Sequence, residues 1–322
     1  LVFFYLITFL LFANSPFQWK FVSEAQIEEW LGQFALEDRE IARKLIDYID
    51  FYDPGRFVQD LKSAHQKLMN HLQNDGFFSL GEDPYEQVDF SRVFCAKSGD
   101  VVSYYYRQAN GLRAASFKNL SDLVLETKGE EKRALVLLED YIGSGTQFIW
   151  ECYAKKHLDL FNQYERIYLV VLSANQLAVS RFEQLKDKDF KEFSDFLVKM
   201  QEALGRPMTL EAILKKLDQI HFDRLNLIYV KKEISLPERI DIPLWERNQI
   251  ASLISKYTPH QYLDDLFSIQ GSTVFFYNCT NNVPSLLWNK KNAPGWKPLF
   301  YRYEDLSVYD NCQHLPVTEQ TW

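Results

Sequence analysis

Two adjacent carboxylates and a run of small residues are the part of this chain best equipped for chemistry. They are Glu139-Asp140, then Tyr141-Ile142, then Gly143-Ser144-Gly145-Thr146-Gln147. Gly143 and Gly145 permit a backbone turn in which successive N–H groups converge on an anion. A helix after Thr146, continuing through Phe148-Ile149-Trp150-Glu151-Cys152, would add its N-terminal dipole. The two acids stand just before that turn, where the hydroxyls of a sugar would lie. The order suits a phosphosugar. It also suits an ordinary strand–turn–helix junction with acids at the helix entrance, and a motif alone does not separate the two.

Acids that bind a ligand need a rigid element behind them. Residues 135–138 (Leu-Val-Leu-Leu) read as a buried parallel strand, apolar on both faces. Upstream, residues 93–96 read as a short strand, Lys97-Ser98-Gly99-Asp100 as a loop and residues 101–108 as a helix. Lys97 would bring charge, and Ser98 and Gly99 N–H donors, to a second anion site, although a plain turn fits as well. Downstream, residues 167–172 read as another buried strand. Ser173-Ala174-Asn175 then falls where a third ligand-facing loop would sit, at the carboxyl edge of a parallel sheet. The charged, periodic stretch 182–204 reads as a surface helix or helical insertion. Residues 208–220 read as a helix and 225–230 as a strand. This alternation predicts an α/β fold with a parallel sheet flanked by helices.

The amino-terminal part is helical in pattern. Ser23-Glu24-Ala25-Gln26 has the form of a capping box. Ile27, Trp30, Leu31 and Phe34 follow at helical spacing. Asp38 is placed to cap a second helix carrying Ile41, Leu45, Tyr48 and Ile49. Pro54-Gly55 breaks it, and a third helix carries Phe57, Val58, Leu61, Ala64, Leu68 and Leu72. Such stripes are core contacts. The boundaries predicted are an apolar segment at 1–22, a helical segment at 23–80, an α/β domain at 85–312 with an extra aromatic-rich carboxyl-terminal element, and a tail at 313–322. Residues 1–13 are almost wholly apolar but shorter than the ~20 needed to span a bilayer. They lack the basic flank of a secretory signal. They read as a clipped membrane anchor, a start-site artefact or a segment packed on the body, the last two being favoured.

Composition narrows the function classes. The chain has 322 residues, 47% of them hydrophobic and 16% aromatic, enough to bury a sizeable core. A net charge of −8 argues against direct nucleic-acid binding, which needs a basic surface. The four cysteines form no C-x-x-C pair, so reduced thiols in a cytoplasmic protein are expected. The six histidines show no metal-binding spacing.

The segment 133–147 resembles the phosphoribosyl pyrophosphate (PRPP) motif of type I phosphoribosyltransferases: an apolar strand, two acids, two mostly apolar residues and a small-residue loop. The resemblance implies that Glu139 and Asp140 hold ribose hydroxyls or a Mg²⁺ ion, and that residues 143–147 bind the 5′-phosphate. Gln147 stands where that loop usually ends in Thr or Ser. The Lys97-Ser98-Gly99 loop occupies the place of that family's pyrophosphate loop. Further pieces are similar to the PRTase-CE proteins of bacterial conflict systems. These are Trp30-Leu31-Gly32-Gln33-Phe34, Asn281-Asn282 with Pro284 and Trp288, and Gly295-Trp296-Lys297-Pro298-Leu299-Phe300 with Arg302. The resemblance covers about residues 24 to 303. It implies a phosphoribosyltransferase-type fold and a role in defence against phage, with partner proteins from a defence operon. Trp288, Trp296 and Phe300 also read as packing residues, whereas Asn281, Asn282 and Arg302 need polar partners or a ligand. Two functions fit: an enzyme acting on PRPP or a related ribose-phosphate nucleotide, and a non-catalytic nucleotide sensor or scaffold.

Overall fold

The computed structural model describes residues 22–79, 83, 85–92, 98–120, 122–123, 133–149, 160–203, 209–259, 270–280, 283–290 and 292–300. The chain divides into two compact units. One is residues 54–235; the other joins residues 1–53 to 236–322. Along the chain run helices α1 (Glu24–Leu31) and α2 (Arg39–Asp47), strand β1 (Asp50–Tyr52) and helix α3 (Pro54–Asn74). Then come strand β2 (Val88–Arg92), helix α4 (Ser98–Asn110) and strands β3 (Ala134–Ile142) and β4 (Arg166–Asn175). Helices α5 (Gln176–Lys186), α6 (Lys191–Ala203) and α7 (Leu210–Asp218) precede strand β5 (Leu225–Glu233). Helix α8 (Leu244–Tyr257) and strands β6 (Thr273–Phe275) and β7 (Asn278–Cys279) follow.

In the 54–235 unit, β2, β3, β4 and β5 form a four-stranded, all-parallel sheet in that order. The fold is α/β, with helices on both faces, as the alternating pattern predicts. On one face Leu135 and Leu137 of β3 register with Ile167 and Leu169 of β4. They share a core with Phe182 and Leu185 of α5, Phe193 and Leu197 of α6 and Ile213 and Leu217 of α7. Among the described residues, none of α3 or α4 belongs to that core; these helices pack on each other and on the strands from the opposite side. Both sheet faces are therefore covered, which explains the unbroken apolar run in β3.

Several local expectations change. Residues 182–203 are largely helical as expected but do not form one surface helix: they fall mainly in α5 and α6, which bury Phe182, Leu185, Phe193 and Leu197 almost completely. Their charges mark only the outer faces. Ser173-Ala174-Asn175 is not a loop but the end of β4. The 93–96 strand expectation lies outside the described residues; the strand present is β2, at 88–92. Ser98 and Gly99 belong to the first turn of α4 rather than to a loop.

The other unit holds a small mixed sheet of order β1-β6-β7, with β1 parallel to β6 and β6 antiparallel to β7. Its core gathers Trp30, Phe34, Leu45, Ile250, Leu253, Leu286, Trp288, Trp296 and Phe300. The capping box at Ser23 and Gln26 is present. Asp38 makes no side-chain cap on α2. Its carboxylate instead accepts from Lys256 Nζ at 2.6 Å and Tyr257 Oη at 2.7 Å, so it gains a cationic partner that a backbone cap does not supply. Residues 1–21 lie outside the described residues, and among the described residues no helix is long and apolar enough to cross a membrane.

Candidate functional site

A parallel sheet opens a crevice where successive connections leave in opposite directions. Phe117 forms a parallel bridge with Phe90 of β2, and the Lys118 N–H donates to the Phe90 carbonyl at 2.9 Å. Since β3 occupies one edge of β2, Phe117 lies on the other. The chain therefore steps outward from β2 through α4, then crosses back to β3. With right-handed crossovers, this reversal puts α4 on one face and α5–α7 on the other. The switch point lies at the carboxyl ends of β2 and β3.

Two of the sequence-identified segments meet there. Ser98, opening α4, donates from Oγ to Glu139 Oε1 at 2.7 Å. Glu139 and Asp140 lie within β3, which runs on to Ile142 rather than ending at Leu138. Both acids are buried, at 4% exposure each. The Asp140 N–H donates to Glu139 Oε1 at 3.1 Å, and the Tyr141 N–H to Asp140 Oδ1 at 2.8 Å. Glu139 Oε2 is buried with no hydrogen-bond partner among the described residues. Burial first, and then the Asp140 charge, push the Glu139 carboxyl well above its ordinary range.

A buried acid with a structural task looks different in this same sheet. Asp89 of β2 is held by Arg133 Nε at 2.9 Å and Nη2 at 2.8 Å, and by Tyr164 Oη at 3.0 Å. Glu139 has no such cation among the described residues. Leaving a buried carboxylate oxygen unpartnered costs about 1–3 kcal/mol or more, which a fold tolerates where a ligand completes the set. Among the described residues no group of three or more His, Cys, Asp or Glu could hold a metal. Two carboxylates fit Mg²⁺ when the ligand's own oxygens and water supply the other positions.

The loop after β3 is compact. Gly143, Ser144, Gly145 and Thr146 are all buried, and residues 146–149 are helical. Ser144 Oγ and Thr146 Oγ1 are 2.5 Å apart, and the Thr146 N–H donates to Ser144 Oγ at 3.3 Å. Gly145 has φ +76°, and a Cβ there would meet Phe182 Cε2 at 3.2 Å. The positive φ favours glycine, and a Cβ would also make the Phe182 ring give by a few tenths of an ångström. Gln147 is exposed on the helical turn. Gly99 is buried beside Ser98. Lys97, Asn281, Asn282 and Arg302 lie outside the described residues.

Three interactions escaped sequence reasoning. Tyr141 Oη donates a short hydrogen bond to buried Glu233 at the end of β5; burial, then the Glu233 charge, push the phenol well above its usual range. Arg181 Nη1 donates to the Ser144 carbonyl at 3.2 Å. Asn175 caps α5 by accepting the Leu177 N–H at 2.9 Å. The only sequence hint was the position of Asn175 and Glu233 near predicted strand ends.

A family model for PRTase-CE matches residues 27–302. The chain belongs to the PRTase-CE family. It is a phosphoribosyltransferase-like protein of the conflict-system kind. No curated protein and no solved structure matches the chain. In this PRTase-CE protein the family-specific aromatic pieces have a structural task. Trp30 Nε1 and Trp296 Nε1 both donate to the Leu286 carbonyl, at 3.2 and 3.0 Å. Gln33 pairs with the Lys297 backbone in both directions, at 2.9 and 2.6 Å. Trp288 Nε1 donates to the Val283 carbonyl at 2.9 Å. The Trp-Leu motif and the carboxyl-terminal Trp element thus clasp each other.

Proposed function

We propose that this PRTase-CE protein binds PRPP or a related ribose-phosphate nucleotide at the switch point between β2 and β3, and acts on it. The observation that carries this reading is Glu139 Oε2, a buried oxygen with no hydrogen-bond partner among the described residues, beside the Asp140 carboxylate. A ribose hydroxyl or a cation supplies what that oxygen lacks. The 5′-phosphate would lie against residues 143–146, whose small side chains allow backbone N–H groups to approach it. Glu139 and Asp140 would hold Mg²⁺ together with oxygens of the ligand, and the ion would supply positive charge to pyrophosphate oxygens. Ser98 fixes the Glu139 carboxyl, and the amino end of α4 presents N–H groups to the same crevice. A sensor or scaffold role is favoured by Gln147, exposed where a closing hydroxyl residue is usual in the motif.

The test is expression in the native operon with phage infection, comparing wild type with Asp140→Asn. The amide keeps the shape and removes the charge a cation needs. Growth arrest is expected in wild type and absent from the variant. Metabolite profiling separates the classes: an enzyme consumes PRPP or a nucleotide and releases a new product, whereas a sensor leaves the pool unchanged until its partner acts. Arrest that persists with Asp140→Asn would place function elsewhere.

A further inference from the structure

We propose that Arg181 is a positioning residue that charges the anion-binding loop from behind; this rests on the phosphosugar reading above. Residues 143–147 contain no cationic side chain. Arg181 Nη1 donates to the Ser144 carbonyl at 3.2 Å. No peptide bond among the described residues is cis. In a trans peptide the carbonyl and the N–H point in opposite directions. With the guanidinium on the Ser144 oxygen, the Gly145 N–H of the same peptide faces away from Arg181. A cation on the carbonyl polarises the peptide and strengthens that N–H as a donor.

The next residue of α5 reinforces the grip. Phe182 packs against Gly145, so two consecutive residues of the helix hold two consecutive residues of the loop. The helix is itself fixed: Asn175, the last residue of β4, caps it and registers with Glu233 of β5. The loop is thus oriented by a helix anchored in the sheet, and Arg181 adds charge to that orientation.

The experiment separates charge from scaffolding. Arg181→Gln keeps an N–H donor for the Ser144 carbonyl but removes the charge; Arg181→Lys keeps the charge. Binding of ribose 5-phosphate with Mg²⁺ is measured by calorimetry at two salt concentrations, together with thermal melts. Arg181→Gln is expected to weaken binding about tenfold and flatten its salt dependence while the melt stays close to wild type. Arg181→Lys is expected to recover most of the affinity. Arg181→Gln binding as tightly as wild type, or Lys performing no better than Gln, would overturn the proposal. If wild type binds neither ribose 5-phosphate nor PRPP, the phosphosugar reading fails first and this inference with it.

Discussion

Glu139→Gln should change how stability depends on pH. In the folded protein the Glu139 carboxyl is pushed above its ordinary value of 4.5, chiefly by burial and next by the Asp140 charge. Above that value the unfolded chain has released a proton that the folded chain keeps. Stability therefore falls as pH rises. The contribution is fully present below the unfolded value and is lost as pH climbs through the folded one. One proton held in excess gives a slope of up to about 1.4 kcal/mol per pH unit. The two acids titrate as a pair, so the slope belongs to both. The substituted amide carries no titrating proton, and its oxygen can still accept from Ser98 Oγ, which lies 2.7 Å from the Glu139 carboxylate. Urea unfolding at about pH 5, 6 and 7 measures the difference. Wild type should lose stability relative to the variant as pH rises across that range, with a slope no steeper than that of one proton. Parallel curves for the two proteins would refute the claim that burial and the Asp140 charge raise the Glu139 carboxyl.

Three other outcomes follow from the geometry. Gly145→Ala should cost about 1–2 kcal/mol for the left-handed backbone alone, plus the Phe182 contact; combining it with Phe182→Leu should give a non-additive total in unfolding measurements. Tyr141→Phe takes one donor from Glu233 and should destabilise by about 1–3 kcal/mol in urea unfolding. Trp296→Phe removes one of two indole donors to the Leu286 carbonyl and should cost about 1 kcal/mol, read by the same assay.

The sheet was legible where side chains report their surroundings directly. Leu135 to Leu138 are apolar because both faces of β3 are covered, and the strand emerged from that alone. The same logic stopped too early at Glu139, because buried acids at a strand end look like a loop in sequence. The charges at Glu183 and Lys186 of α5 and at Asp187, Lys188 and Asp189 in the turn before α6 hid a buried stripe of Phe182, Leu185, Phe193 and Leu197. The switch point depends on Phe117 reaching Phe90, a non-local pairing that no local pattern encodes. Arg181 and Glu233 were invisible for a similar reason, since each acts on residues 37 and 92 positions away. Trp30 and Trp296 read as packing residues, and they are, but their shared carbonyl could only be seen in three dimensions.

The central claim is that Glu139 and Asp140 hold a phosphosugar, and calorimetry addresses it directly. PRPP is titrated with Mg²⁺ into wild type and into Glu139→Ala/Asp140→Ala, with cooperative melting verified for both. Saturable binding in wild type, lost in the folded double variant, is the expected result. Equal affinity in the two proteins, or no binding to a folded wild type, would contradict it.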